Sequence, residues 1–77
     1  MIRLFSTPTC PYCVALKGFL KDRGFDFEDI DIATDVKARE EMVEKSGQMG
    51  VPVLEINGQI IVGFDRKKIT ELLGIKD

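Results

Sequence analysis

Apolar and polar positions change period along this chain and divide it into short segments. Ile2 to Phe5 is an apolar run that leads into Ser6-Thr7-Pro8-Thr9, a cluster of turn and capping residues, and predicts a buried strand ending in a loop. Thr9 is a candidate helix cap with Pro11 close behind it. Cys13, Leu16 and Leu20 then recur at spacings of three and four, with Val14 and Phe19 widening the stripe, so a helix is expected to about Arg23. Gly24 ends it, and Phe25 to Ile32 alternates as a second strand. Thr34 or Asp35 caps a second predicted helix. Its inner face is expected to hold Val36, Arg39, Met42, Val43 and Ser46, with Glu40, Glu41, Glu44 and Lys45 mostly outside, before Gly47 ends it.

Val53-Leu54-Glu55-Ile56 and Gln59-Ile60-Ile61-Val62 flank Asn57-Gly58, a dipeptide suited to a two-residue turn in which both central residues take positive φ, and predict a β-hairpin. Asp65 caps a last helix whose stripe is Ile69, Leu72 and Leu73, ahead of Gly74. The predicted order is β-α-β-α-β-β-α. A strand-helix-strand unit needs a right-handed crossover, which makes the first two strands parallel, and the hairpin adds antiparallel strands. The fold class expected is therefore α/β, a four-stranded mixed sheet flanked by three helices. No repeat, linker or low-complexity stretch interrupts it, so residues 1–77 are expected to form a single domain.

Composition narrows the function. Eleven Lys and Arg against thirteen Asp and Glu are mixed along the chain with no basic footprint, which argues against nucleic acid as a partner. No apolar run approaches the roughly 20 residues of a membrane span, and no secretory leader is apparent, so a cytoplasmic protein without a membrane partner is expected. Asp26, Glu28, Asp29 and Asp31 read as the exposed face and end of a strand, and no catalytic carboxylate is assigned.

The two cysteines, Cys10 and Cys13, carry the candidate chemistry. A tetrahedral zinc site needs four ligands, and a chain with two cysteines and no histidine cannot assemble one from the usual set, so no metal site and no bound cofactor are expected. One bridge closing so small a loop is also a poor structural staple. Catalytic thiols remain. Cys10 falls where the strand gives way to the helix, and the helix's first unpaired N–H groups and positive dipole end favour its thiolate. Cys13 lies one turn on and can bond to Cys10. Pro11 fits the first turn because its missing N–H removes no helical bond. The expected reaction is attack by Cys10 on a substrate disulfide, followed by resolution of the mixed disulfide by Cys13.

Thr9-Cys10-Pro11-Tyr12-Cys13 resembles the dithiol site of the glutaredoxins, within the thioredoxin-like superfamily. Ser46-Gly47-Gln48-Met49-Gly50-Val51-Pro52 is similar to the segment that leads into their cis-proline, and Asn57-Gly58 followed by Gly63-Phe64-Asp65 is similar to their hairpin and last helix start. The resemblance covers nearly the whole chain. It implies a thioredoxin-like fold, a thiol-disulfide oxidoreductase, and a cis peptide before Pro52 beside the site. It further implies that Pro11, Tyr12 and Pro52 shape the site, and that Tyr12, Val51, Pro52, Gly63, Phe64 and Asp65 contact substrate or glutathione. Val51 would pair with the backbone of glutathione's cysteine part, and the Phe64 and Asp65 amides with the Asp65 carboxylate would receive its γ-glutamyl end. Asp65 as a helix cap alone is the competing structural reading.

Departures from that pattern widen the choice of partners. Many glutaredoxins carry Lys or Arg where this chain has Thr7, Arg at Met49, Thr at Gly50, and Cys-Asp-Asp at Phe64-Asp65-Arg66. Lys17 lies two helical turns beyond Cys10, too far along to replace a cation at Thr7. Gly63-Phe64 is similar to the redoxins that supply ribonucleotide reductase and draw electrons from thioredoxin reductase. The expected partners are thus disulfide-containing proteins, with glutathione as cosubstrate or thioredoxin reductase as the reductant, and the chain is expected to be a monomer. The alternative of another class is a homodimer that holds an iron-sulfur cluster between Cys10 thiolates with glutathione's help.

Overall fold

A computed structural model describes residues 2–75; Met1, Lys76 and Asp77, the ends of the expected 1–77 domain, lie outside the described residues. The elements run β1 (Ile2–Ser6), α1 (Pro11–Asp22), β2 (Glu28–Asp31), α2 (Val36–Ser46), β3 (Val53–Ile56), β4 (Gln59–Val62) and α3 (Arg66–Leu73), in the order expected from the sequence. The sheet order is β2-β1-β3-β4. β1 pairs parallel with β2, in the register Phe5 with Ile30, and antiparallel with β3, Phe5 with Val53. β3 and β4 pair antiparallel through Asn57 (φ 49°) and Gly58 (φ 87°), the positive values that a two-residue hairpin turn requires.

Successive strand residues point to opposite faces of a sheet, and the core accordingly has two halves. On one face Ile2, Leu4, Leu54, Ile56 and Ile61 meet Leu16, Phe19 and Leu20 of α1 and Ile69 of α3. On the other, Phe5, Ile30 and Val53 meet Ala38 and Met42 of α2. β1 is buried on both faces, which is why it reads as a continuous apolar run rather than an alternating one.

Several expectations are corrected. The cap of α1 is Cys10, one residue after Thr9. Val14 does not widen the buried stripe and is exposed, because α1 turns Cys13, Leu16 and Leu20 toward the sheet. β2 is limited to Glu28–Asp31; Phe25 and Phe27 lie before it, half-buried against the core as side-chain packing rather than as ladder partners. Lastly, Asp35 caps α2, but Val36 and Arg39 are exposed; Val43 packs half-buried against the core as expected, and the line that meets the sheet is Ala38, Glu41, Met42 and Lys45, at spacings of three and four, with Lys45 reaching it through its ammonium.

That last line is half ionic. Arg3 donates to both Glu41 oxygens at 2.8 and 3.0 Å and to Glu55 at 2.8 Å, and Lys45 donates to Glu55 at 2.7 Å and lies 2.9 Å from Glu41. Arg3 and Glu55 are register partners on β1 and β3, so the two carboxylates and two cations join α2 to the middle of the sheet. The Arg3 guanidinium, with Lys45, holds the Glu41 carboxyl down at about 2, and Lys45 and then Arg3 overcome burial to hold Glu55 below its usual range. In α3, Ile69 is buried and Leu73 half-buried, while Leu72 is exposed.

Candidate active site

The sheet gathers the chemistry-bearing segments at one end. β1 finishes there at Ser6, β3 begins there at Val53, and β4 finishes there at Val62, because Phe5 pairs with Val53 and Val53 with Val62. The loop before α1, the segment before β3 and the residues after β4 therefore meet at that end.

The first loop turns sharply, with the Cys10 N–H donating to the Thr7 carbonyl at 3.3 Å. Cys10 then takes the extended conformation of a helix N-cap, φ −94° and ψ 109°, with Pro11 opening the helix. In place of the usual capping oxygen, the Cys10 Sγ accepts the Cys13 N–H at 3.1 Å. An N–H and the positive helix end aimed at one sulfur favour its anion over its thiol. Cys10 and Cys13 are bonded as a disulfide, with Cα atoms 5.2 Å apart. Cys10 keeps 8% of its surface and Cys13 none, so an external sulfur meets Cys10 first.

Pro52 is buried behind a cis Val51-Pro52 peptide, as the glutaredoxin resemblance implied, and Val51 is half-buried. The Gly63 N–H donates to the Pro52 carbonyl at 2.8 Å, which ties the end of β4 to the proline. Phe64 is half-buried and packs edge-on against Phe19 of α1, with centroids 5.5 Å apart. Asp65 caps α3, accepting the Lys68 N–H at 3.2 Å. Tyr12 is 68% exposed beside the cysteines. The cysteine pair is thus joined directly, Pro52 and Gly63 by a hydrogen bond, and Phe64 and Asp65 follow Gly63 along the chain.

Sequence reasoning missed the support beneath the loop. Ser6, the last residue of β1 and 2% exposed, donates its hydroxyl to Asp29 at 2.9 Å, and Lys17 reaches the other Asp29 oxygen at 2.8 Å. Burial would raise the Asp29 carboxyl, but Lys17 and Ser6 outweigh it and hold it low. Asp29 is therefore more than the exposed strand position expected, and Lys17 is paired with it rather than directed to Cys10. The available signal was a serine at the end of an apolar strand. Among the described residues no group of three or more His, Cys, Asp or Glu side chains is placed to hold a metal, and no helix is long and apolar enough to cross a membrane.

A cysteine-capped helix on a mixed four-stranded sheet, with a cis-proline at the same end, defines a thioredoxin-like thiol redox protein. Known proteins agree. The glutaredoxin family model matches residues 2–61. The chain is 51% identical to the uncharacterized glutaredoxin-like 8.6 kDa protein in the rubredoxin operon of Clostridium pasteurianum, over 95% of this chain and 97% of that one. It is 36% identical to glutaredoxin 3 of Escherichia coli, over 83% and 77% respectively. The glutaredoxin crystal structure from Archaeoglobus fulgidus superposes with a TM-score of 0.86 at 31% identity, covering 94% of this chain and 84% of that one. The chain belongs to the glutaredoxin family of thiol-disulfide oxidoreductases.

Proposed function

We propose that this chain is a cytoplasmic, monomeric, single-domain dithiol reductase of protein disulfides and glutathione mixed disulfides, with Cys10 as nucleophile and Cys13 as resolving thiol. The observation that carries this reading is the sulfur cap: Cys10 Sγ accepts the Cys13 N–H at the head of α1 and alone keeps exposed surface. The Cys10 thiolate attacks one substrate sulfur, the substrate S–S bond breaks, and one thiol leaves. Cys13 gives up its proton and attacks Cys10 Sγ, the second thiol leaves, and the Cys10–Cys13 bridge remains. Two electrons pass to the substrate, and two thiols of glutathione or a reductase dithiol restore the pair.

Pro11 and Pro52 shape the site in this scheme, and Tyr12, Val51, Gly63, Phe64 and Asp65 form its substrate side. A glutathione carboxylate suits the N–H groups at the head of α3. The test follows NADPH consumption with a model disulfide, regenerated either by glutathione with glutathione reductase or by thioredoxin reductase. Wild type turns over with at least one system. Cys10→Ser is inert, whereas Cys13→Ser keeps one-thiol chemistry with glutathione or stops as a covalent mixed disulfide. Full dithiol turnover by Cys10→Ser refutes the assignment.

A further inference from the structure

One carboxylate ties down both ends of the segment that carries the cysteines. Ser6, four residues before Cys10, donates its hydroxyl to one Asp29 oxygen at 2.9 Å, and Lys17, four residues after Cys13, lies 2.8 Å from the other. No charged residue falls between these two anchors along the chain. Asp29 belongs to the edge strand β2, whose neighbour β1 ends at Ser6, so its carboxylate stands between the end of β1 and the first two turns of α1. Burial raises the Asp29 carboxyl, and Lys17 with Ser6 more than offset this, so it is ionised at neutral pH.

Lys17 shares a helix face with Cys13. Residues four apart on a helix have Cβ atoms about 5–6 Å apart, and long helical side chains lean back toward the N-terminus, here toward the turn that holds Cys13. Cys13 is fully buried, and a charge beside a buried sulfur acts through a medium less polar than water. The ion pair with Asp29 holds the ammonium at the edge of the sheet instead. Other charges lie farther from the pair. Lys21 and Asp26 share a groove with Lys17 and Asp29, one turn on along α1, and Arg66 of α3 lies over the ring of Phe19, six residues beyond Cys13. Arg3, the charge that precedes Ser6 in the chain, is engaged by Glu41 and Glu55 toward α2.

We propose that Asp29 is a positioning residue for the redox pair, acting through Lys17: it detains and offsets the ammonium, and so keeps the Cys10/Cys13 dithiol a stronger reductant. This poise belongs to the same two sulfurs and rests on the oxidoreductase reading. Reduction of the bridge takes two electrons and two protons and yields two thiols, and the helix head lets Cys10 release one proton to stand as a thiolate. A cation released beside the pair stabilises that anion, favours the reduced form and weakens the dithiol as a reductant. An unpaired carboxylate at the same place does the reverse. Asp29 and Lys17 therefore act on the pair with opposite signs, and together they nearly cancel.

Wild type, Asp29→Asn, Lys17→Gln, the double variant and the charge-keeping Asp29→Glu are equilibrated anaerobically at pH 7 in mixtures of reduced and oxidised glutathione. Acid quenching, alkylation and mass spectrometry then read the reduced fraction of each, and circular dichroism confirms that each is folded. Asp29→Asn is expected to move the equilibrium about threefold toward the dithiol, as one unit charge roughly 10 Å away in a partly exposed setting does, or about 14 mV. Lys17→Gln is expected to move it about threefold the other way. The double variant and Asp29→Glu are expected to stay within about 1.5-fold of wild type. Lost packing alone destabilises both single variants without giving their equilibria opposite signs. Shifts of the same sign in the two single variants, shifts below about 1.5-fold in both, or a double variant displaced as far as either overturns the proposal while the wild-type equilibrium stands. If the wild-type pair does not exchange with the glutathione couple at all, the oxidoreductase reading itself falls and takes this inference with it.

Discussion

Replacing Glu55 with Gln tests whether ion pairing seats α2 on the sheet. Glu55 lies on the inner strand β3 with its side chain 11% exposed, accepting Arg3 at 2.8 Å and Lys45 at 2.7 Å. The substitution keeps shape and removes charge, leaving two cations to share Glu41. Exposed ion pairs contribute about 0–1 kcal/mol, and breaking a fully buried one costs about 3–5 kcal/mol. With Arg3 and Lys45 side chains 23% and 37% exposed, the site stands between these limits. The expected loss is about 2 kcal/mol at pH 7, which lowers the Tm of a domain this size by about 8–16 °C.

The pH dependence sharpens the test. Glu41 and Glu55 are held below their usual range when folded, Glu41 from 4.5 to about 2. A depressed folded value means that the stabilisation is present above the unfolded value and is lost as pH falls through the folded one. Wild type therefore loses it progressively from about pH 4.5 toward about pH 2. Once Glu55 is protonated, it and the Gln replacement are both neutral, and the stability gap closes. Urea unfolding followed by circular dichroism on the oxidised protein, at pH 7 and again near the acid end, measures the gap at both. A gap under about 0.5 kcal/mol at pH 7, or one of equal size at both pH values, refutes the reasoning.

Two further substitutions separate local geometry from chemistry. Gly58→Ala places a side chain at φ 87° in open space, so its cost is backbone strain alone, about 1 kcal/mol by denaturant midpoint, with reductase activity unchanged. Asp65→Ala removes the α3 cap and is expected to cost about 1 kcal/mol by the same measurement. If Asp65 also receives glutathione, its KM for glutathione mixed disulfides rises as well, while a cap alone leaves KM unchanged.

The element order and the cysteine pair were legible because they depend on near neighbours along the chain. Asn57-Gly58 suits its turn through its own φ values, and Cys10 and Cys13 meet because a helical turn separates them. The face of α2 was not legible. Its sheet-facing residues include Glu41 and Lys45, whose partners lie on other elements: Arg3 on β1, 38 positions from Glu41, and Glu55 on β3, 10 positions from Lys45. A charged helix position with a distant counter-charge looks, one-dimensionally, like a solvated one. The Ser6–Asp29–Lys17 cluster was hidden for the same reason.

By itself the amino-acid sequence determined the local features of this protein: the order in which helices and strands follow one another, which dipeptide turns, and which two cysteines lie one helical turn apart. Each follows from side-chain periodicity or backbone preference over a few residues. The tertiary structure alone decided which thiol keeps a path to solvent, which charges face the sheet, and which loops meet at the end of the sheet that carries the disulfide. Those depend on which distant segments share one end of the sheet, and strand pairing across more than 40 positions is what brings them there.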